Sequence, residues 1–140
     1  MNWSNRFVAW MLRSPIQFLI PGTMLIEIRG RKSGKPLAVP VNYLRESNLL
    51  YTVSLRNRTW WRNLIGGAPV TVCVQGSKFD AVAEAVTDPN AVAEGLRKMI
   101  QLAPSTARYY RVQINARGEP NGEELGRAAE SRVIVRTRLN

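Results

Sequence analysis

The sequence has no histidine, a single cysteine and no long apolar run. The absence of histidine excludes Ser-His-Asp and Cys-His catalysis and any histidine-ligated metal or haem. One cysteine, Cys73, excludes an intrachain disulfide and a cysteine-rich zinc site, so we expect no metal and a reducing compartment. Cys73 stands between two valines, which favours a small buried residue over a nucleophile.

Transmembrane and secretory signals are also missing from the pattern. No stretch approaches the roughly 20 apolar residues that a transmembrane helix needs. The apolar N-terminal segment is interrupted at Arg13 and followed by Pro15 and Pro21, which does not fit a signal peptide. The sequence therefore predicts a cytoplasmic protein.

Acidic residues are scarce. Ten Asp and Glu face twenty Lys and Arg, which gives a formal net charge of +10 over 140 residues. Such a surface attracts anions: nucleic acid, anionic lipid, or a small molecule rich in phosphate or carboxylate. Because the basic residues are dispersed along the chain and form no recognition motif, we expect no nucleic acid partner.

The order of apolar segments and turns predicts one α+β domain over residues 1–140. Tight turns join consecutive strands, which indicates an antiparallel sheet or small barrel and not βαβ units. Strands are predicted at residues 23–28, 36–44, 49–54, 70–74, 78–86, 109–114 and 132–139, and helices at residues 59–64, 89–102 and 121–129. The domain divides into an N-terminal helix (1–13), a core (23–86) and a C-terminal part that completes it (88–140). We expect Thr59 and Asp88 to cap two of the helices, and Gly76 and Ser77 to form a hairpin turn.

The N-terminal helix is predicted to be amphipathic. Trp3, Phe7, Trp10 and Met11 fall on one helical face. This face either covers the core of the protein or makes a peripheral membrane contact, because tryptophan beside arginine suits the lipid headgroup layer.

A basic turn between the first two strands is the clearest candidate for anion binding. Arg29, Arg31, Lys32 and Lys35 surround Ser33, and two glycines allow backbone N–H groups to converge on a phosphate. The alternative is a solvated hairpin tip, since charged turns are ordinary.

Two aromatic pairs are further candidates. Trp60 and Trp61 stand near several arginines and could stack on a ring system, or could fill the core. Tyr109 and Tyr110 could donate a proton to a substrate oxygen, or could be a core residue beside an edge residue.

Taken in order, these segments resemble the deazaflavin-dependent nitroreductases, also called F420-dependent quinone reductases. The resemblance rests on Leu25-Ile-Glu-Ile-Arg-Gly-Arg-Lys-Ser-Gly-Lys-Pro36, Leu50-Tyr-Thr-Val-Ser54, Trp60-Trp-Arg-Asn-Leu64 and Ala68-Pro-Val-Thr-Val72. It covers residues 23–86 and implies a split β-barrel of the FMN-binding type with inserted helices.

The resemblance implies a coenzyme as well. Coenzyme F420 is a 5-deazaflavin that carries a phosphate and an oligoglutamate tail, and a polyanion of this kind suits the positive net charge. The residues that would hold its phosphate-bearing part are Arg31, Lys32, Ser33, Gly34, Lys35 and Pro36. The residues that would surround the deazaflavin are Leu25, Ile26, Glu27, Val53, Ser54, Leu55 and Arg56, with Trp60 and Asn63 on the adjoining helix.

The activity implied is hydride transfer from reduced F420 to an apolar quinone, enone or nitro-type acceptor. The protein would position the rings and exclude water, so no catalytic side chain is assigned, and Tyr109 and Tyr110 are weak candidates for a proton donor. The alternatives are a homologue that binds FMN and a non-enzymatic carrier of a cofactor or lipid. A homodimer is a further expectation, because many split barrels dimerise.

Overall fold

The computed structural model describes residues 22–30 and 34–140. The predicted N-terminal helix and the hairpin residues Arg31, Lys32 and Ser33 lie outside this part of the chain.

Seven antiparallel strands form one sheet, in the order β2-β1-β5-β6-β7-β4-β3. The strands are β1 (Thr23–Arg29), β2 (Pro36–Asn42), β3 (Leu44–Glu46), β4 (Leu49–Leu55), β5 (Ala68–Val74), β6 (Ser77–Val86) and β7 (Arg132–Leu139). The helices are α1 (Pro89–Leu102), α2 (Ala107–Tyr110) and α3 (Gly122–Glu130), with 3₁₀ turns at Trp60–Leu64 and Pro104–Thr106. The sheet curls into a half-barrel, so that β2 comes back close to β4. The expected antiparallel α+β architecture is confirmed.

The inner face of the curled sheet holds the larger core. Alternate residues of β1, such as Met24 and Ile26, are buried there, as period-2 patterning requires. Small alanines of β6, Ala81 and Ala83, lie in the same cluster and leave room for Trp61 of the 3₁₀ turn. The short helix therefore fills one end of the half-barrel.

Helices α1 and α3 cover the opposite face of β4 and β7. Leu96 of α1 and Leu125 of α3 pack in one cluster with Tyr51 and Ile134 from these strands. Helix α1 begins as predicted, because the Asp88 side chain accepts a hydrogen bond from the Ala91 N–H at 3.0 Å and a proline follows.

The predicted strand over residues 36–44 is interrupted. Strand β2 ends at Asn42 and β3 begins at Leu44, because the Tyr43 N–H donates to the carbonyl of Gly22 at 2.7 Å. This bond turns the chain, so β3 pairs with β4 and not with β1.

Three local predictions were wrong. Residues 109–114 are not a strand: Tyr110 ends α2, and Arg111 adopts the left-handed conformation (φ 57°), which breaks any extended run. Thr59 makes no side-chain capping bond to the 3₁₀ turn. The second hairpin turns at Gln75 and Gly76, both with positive φ, so Ser77 already belongs to β6.

Candidate functional site

The basic hairpin tip is closed by its own backbone. The Gly34 N–H donates to Gly30 O at 2.8 Å, and the Gly30 N–H donates to Lys35 O at 2.9 Å. Arg29 folds over the turn and donates from Nη1 to Gly34 O at 3.0 Å. Gly34 has a φ of +68°, and no described atom lies within 4 Å of where a Cβ would stand. The described surface at Gly34 is therefore open, but the N–H groups of Gly30 and Gly34 are already used within the turn, so the donor offered to an anion here is exposed Lys35.

Three predicted ring-lining residues on β1 have different surroundings. Leu25 is fully buried with Ala38 and Cys73, and this confirms the prediction that Cys73 is buried. Ile26 is fully buried in the inner core. Glu27 is partly exposed, and Lys78 Nζ stands 3.9 Å from its Oε1.

Glu27 lines a cavity of about 470 Å³ on the outer face of β1, β5 and β6. Asp80 contributes a second carboxylate and Arg29 a guanidinium to the same cavity. Because two carboxylates repel a phosphate, this cavity suits a polyanion poorly, and the exposed hairpin tip suits it better.

The end of β4 contains three predicted site residues that point in two directions, and a fourth, Arg56, follows the strand. Val53 and Leu55 lie on the outer face, whereas Ser54 faces inward and donates from Oγ to Leu55 O at 3.1 Å. Arg56 donates from Nη2 to Thr87 O at 2.8 Å and to Arg132 O at 3.1 Å.

The two predicted residues on the 3₁₀ turn interact locally. Trp60 packs against the inner core, and Asn63 donates from Nδ2 to Trp60 O at 3.0 Å. Trp61 is buried in the same core.

One edge of β4 is left open beyond Tyr51. Strand β3 pairs only with Leu49–Tyr51, and no other described strand pairs with residues 52–55 on that side. The open edge faces the gap toward β2, the opposite edge strand of the half-barrel. Within the described residues, positions 52–54 have no strand partner on this side, whereas Leu55 O already accepts from the Arg58 N–H at 3.1 Å.

Beside this edge lies a cleft of about 420 Å³, which we call the tyrosine cleft. All four tyrosines of the chain line it, although they are far apart in sequence. The lining residues are Tyr43, Tyr51, Tyr109, Tyr110, Gly22, Asn42, Leu44, Val53, Leu55, Met99, Thr106 and Arg132. The cleft therefore joins the predicted coenzyme residues Val53 and Leu55 to the predicted acceptor residues Tyr109 and Tyr110.

Arg132 is the one charged residue in the described lining of this cleft. Its guanidinium lies 5.5 Å from the centroid of the Tyr110 ring, a cation–π arrangement. Nη1 donates to Ala128 O and to Ser131 Oγ, each at 3.2 Å, and Nη2 reaches Tyr109 O at 3.5 Å. Arg132 thus links the start of β7 to α2 and α3.

Burial raises the pKa of two phenols of the cleft. Desolvation raises the pKa of Tyr110 above its ordinary value, and the charge of Arg132 opposes this in part. Desolvation also raises the pKa of Tyr43, opposed by Arg45. Both side chains can therefore donate a hydrogen bond at neutral pH.

Sequence reasoning missed Tyr43, Tyr51, Met99 and Arg132 as cleft residues. The only signal was the small number of tyrosines, and it gives no position in space. Arg132 begins a predicted strand and looks like an ordinary exposed residue.

Within the described residues, no helix is long and apolar enough to cross a membrane. The residues predicted to make a peripheral membrane contact lie outside the described part of the chain.

The site fits the coenzyme that the sequence resemblance implies. A deazaflavin needs a flat apolar surface with hydrogen-bond donors at its edges, and its phosphate needs cations beside open backbone. Among the described residues, the tyrosine cleft offers a surface of the first kind, and exposed Lys35 at the hairpin offers a cation for the second.

Solved structures share the fold at low sequence identity. The FAD- and haem-binding protein of Mycobacterium smegmatis is 16% identical with a TM-score of 0.53; the match covers 85% of this chain but only 61% of that one. A general stress FMN/FAD-binding protein of Xanthomonas citri is 14% identical with a TM-score of 0.54, over 97% of this chain and 82% of that one. A structure described as a domain-swapped dimer is 15% identical with a TM-score of 0.56, over 96% and 93%. This likeness shows the split-barrel fold.

The sequence itself gives a more specific match. The sequence model of the F420H(2)-dependent quinone reductases matches residues 8–117, which is most of the chain. This match confirms the expected family and its coenzyme, F420. The chain belongs to the F420H(2)-dependent quinone reductase family.

Proposed function

We propose that this protein transfers hydride from reduced F420 to a quinone-type acceptor in the tyrosine cleft. Family membership supports an F420-dependent oxidoreductase. The observation that carries the proposal for the acceptor is the convergence of all four tyrosines with Val53 and Leu55 on one cleft. A planar, apolar ring with oxygen atoms at its edge suits such a lining, because tyrosine offers a ring face and a hydroxyl donor together.

The coenzyme would be held at two places. The phosphate-bearing part would bind at the hairpin tip, where Lys35 is exposed beside Gly34 and next to the basic residues Arg31 and Lys32 of the sequence. The deazaflavin would lie against the open edge of β4 beside Val53 and Leu55. The buried positions of Leu25 and Ile26 leave them a supporting role behind the ligand.

The side chains of this protein would act by positioning. Reduced F420, when bound, supplies the hydride. Leu55 and Met99 exclude water from the cleft, and Tyr110 keeps its proton because it is desolvated. Arg56 and Ser54 hold the end of β4 through bonds to backbone carbonyls. No nucleophile is required, which is consistent with the lack of histidine.

Two other functions have partial support. Similar folds include FMN- and FAD-binding proteins, so an FMN-binding homologue is the alternative for the coenzyme. A carrier that binds coenzyme without turnover is the alternative for the activity. A homodimer is proposed as the assembly, since one structure of the same fold is described as a domain-swapped dimer, and light scattering on the purified protein measures it.

Binding and turnover of F420 test the proposal together. We expect deazaflavin fluorescence to change on binding at micromolar protein, and FMN to compete weakly. Reversing two charges at the hairpin, in the double variant Lys32→Glu with Lys35→Glu, should weaken binding about tenfold or more, because each charge-assisted bond to phosphate is strong. The control is the double variant Arg111→Glu with Arg117→Glu, which makes the same total charge change at exposed positions far along the chain.

Turnover separates the enzyme from the carrier. Reduced F420 should be oxidised by a panel of quinones faster than by enones or nitroaromatics. Tight F420 binding without oxidation by any acceptor in the panel would favour a carrier, and preferential binding of FMN would overturn the coenzyme assignment.

A further inference from the structure

The tyrosine cleft has an unusual charge balance. Its described lining contains one cation, Arg132, and no Asp or Glu. Glu46, on strand β3 beside β4, is paired with Lys98 at 2.8 Å and is not part of the lining. The positive charge of Arg132 is therefore not neutralised within the cleft.

The hydrogen bonds of Arg132 leave part of its guanidinium available. A guanidinium has five N–H donors. Both donors of Nη1 and one of Nη2 have acceptors in the protein, namely Ala128 O, Ser131 Oγ and Tyr109 O. The Nε–H and one Nη2–H have no acceptor among the described residues. These bonds also fix the orientation of the side chain, so little conformational entropy remains to be lost when a ligand binds.

The tyrosines complete this arrangement. Tyr110 lies under the guanidinium, and burial keeps its hydroxyl protonated as a hydrogen-bond donor. Tyr51 and Tyr43 line the other side of the cleft. A flat ring between them would have its edge near a fixed cation and a neutral phenol.

We propose that the tyrosine cleft binds planar aromatic oxyanions, with Arg132 as their counter-ion. The inference rests on the proposed function in that it names the ligand class of the same cleft. The oxyanion is the form that a quinone takes after it has accepted a hydride at oxygen or carbon and before a proton reaches it. Arg132 would thus favour the negatively charged product over the neutral acceptor, which is the difference that assists the reaction.

The test measures binding without coenzyme or turnover. The probes are 2-hydroxy-1,4-naphthoquinone, which is an anion at neutral pH, and neutral 1,4-naphthoquinone, with quenching of intrinsic fluorescence as the readout. Wild type should bind the anion about 5- to 30-fold more tightly than the neutral probe, the effect of a charge-assisted bond reduced by partial solvent screening. Arg132→Gln should lower the affinity for the anion more than the affinity for the neutral probe, and should thereby remove this preference.

Two variants control for charge and for folding. Arg138→Gln removes the same charge from an exposed position on the same strand and should keep the preference. Arg132→Lys keeps the charge and should retain part of the preference for the anion. This variant therefore shows the effect of charge even where Arg132→Gln fails to fold. Excess inorganic phosphate should not displace the anionic probe. Displacement by phosphate would indicate that the probe binds at the hairpin tip and not in the tyrosine cleft.

The inference is overturned where wild type shows no preference for the anion, where a folded Arg132→Gln keeps that preference, where phosphate displaces the anion, or where Arg138→Gln lowers the preference as much as the Arg132 variants do. Its failure is distinguishable from that of the proposed function. An Arg132-dependent preference in a protein that ignores F420 would leave this inference standing and overturn the function. Binding and oxidation of reduced F420 without an Arg132-dependent preference would overturn this inference and leave the proposed function standing.

Discussion

Arg56 is bonded to the backbone of Arg132: its Nη2 donates to the Arg132 carbonyl at 3.1 Å and to the Thr87 carbonyl at 2.8 Å. One guanidinium therefore ties the end of β4 to the end of β6 and the start of β7. The resemblance implies a coenzyme role for Arg56, whereas these bonds indicate that it holds the scaffold of the tyrosine cleft.

Removing the Arg56 guanidinium should lower stability. We expect Arg56→Met to cost about 2 kcal/mol, because two partly buried charge-assisted bonds are lost. Thermal unfolding should then occur about 4 to 8 °C lower. Arg58→Met, an exposed neighbour, is the control and should change the melting temperature by less than about 2 °C. A variant as stable as wild type but unable to bind F420 would instead support direct contact with the coenzyme.

Gly95 shows how closely α1 packs on the sheet. A Cβ at this position would clash with Ile134 Cδ1, and Ile134 is buried. At Gly126 of α3, by contrast, a Cβ would find no described atom within 4 Å. The two glycines are therefore a matched pair in helix interiors, one confined and one open.

Alanine should have opposite effects at these two glycines. Gly126→Ala should stabilise the protein by about 0.5–1 kcal/mol through helix propensity. Gly95→Ala should be neutral or destabilising despite the same propensity, because Ile134 must move in a packed core. Adding Ile134→Val, which removes the clashing Cδ1, should recover part of the difference. Urea unfolding of the variants measures these differences in stability. A Gly95→Ala variant more stable than wild type would mean that α1 lies farther from β7 than described above.

Much of the fold was predictable because its signals are local. Strand β1 shows plain alternation, and Asp88 followed by proline marks the start of α1. The interruption at Tyr43 was not predictable, since it depends on a bond to Gly22, which lies 21 positions earlier in the sequence. Residues 109–114 were wrongly predicted as a strand because the adjacent aromatics Tyr109 and Tyr110 favour β structure. The left-handed conformation of Arg111, which ends any extended run, has no signal in the sequence.

The sequence indicated several residues of the candidate site, but it did not indicate how the fold brings them together. Turn chemistry identified the basic hairpin, because glycines and cations there have local meaning. The tyrosine cleft is assembled from β4, α2 and the ends of β2 and β7, so its members have no common spacing. Arg132 could be recognised only once the fold had brought it over Tyr110.

Stability should fall at alkaline pH partly through Tyr110. Burial raises the pKa of Tyr110 above its usual value of about 10, so the folded protein keeps this proton after the unfolded chain has lost it. The folded state then binds more protons than the unfolded state, and its stability decreases as pH rises above about 10. Tyr43 adds to the effect in the same direction.

Difference absorbance at about 295 nm, where phenolate absorbs, measures this titration. We expect the difference between wild type and Tyr110→Phe to show a phenolate that forms above pH ~10, and Tyr110→Phe to flatten the alkaline fall in melting temperature. In Arg132→Gln the pKa of Tyr110 should rise further, because the opposing charge is gone. A Tyr110 phenol that ionised below pH ~10 in wild type would contradict its burial.

Neither tyrosine of the α2 end should be indispensable for hydride transfer. Tyr109 is 78% exposed and Tyr110 is partly buried beside Arg132, so solvent can reach the first and a cation assists the second. We expect Tyr109→Phe and Tyr110→Phe each to lower the rate less than about a hundredfold, the low end of general acid catalysis, with the larger effect at Tyr110. The measurement is single-turnover oxidation of bound reduced F420 by a quinone, with coenzyme affinity determined for each variant. If either change abolished oxidation while F420 affinity stayed normal, that tyrosine would be the catalytic acid and positioning alone would not explain the reaction.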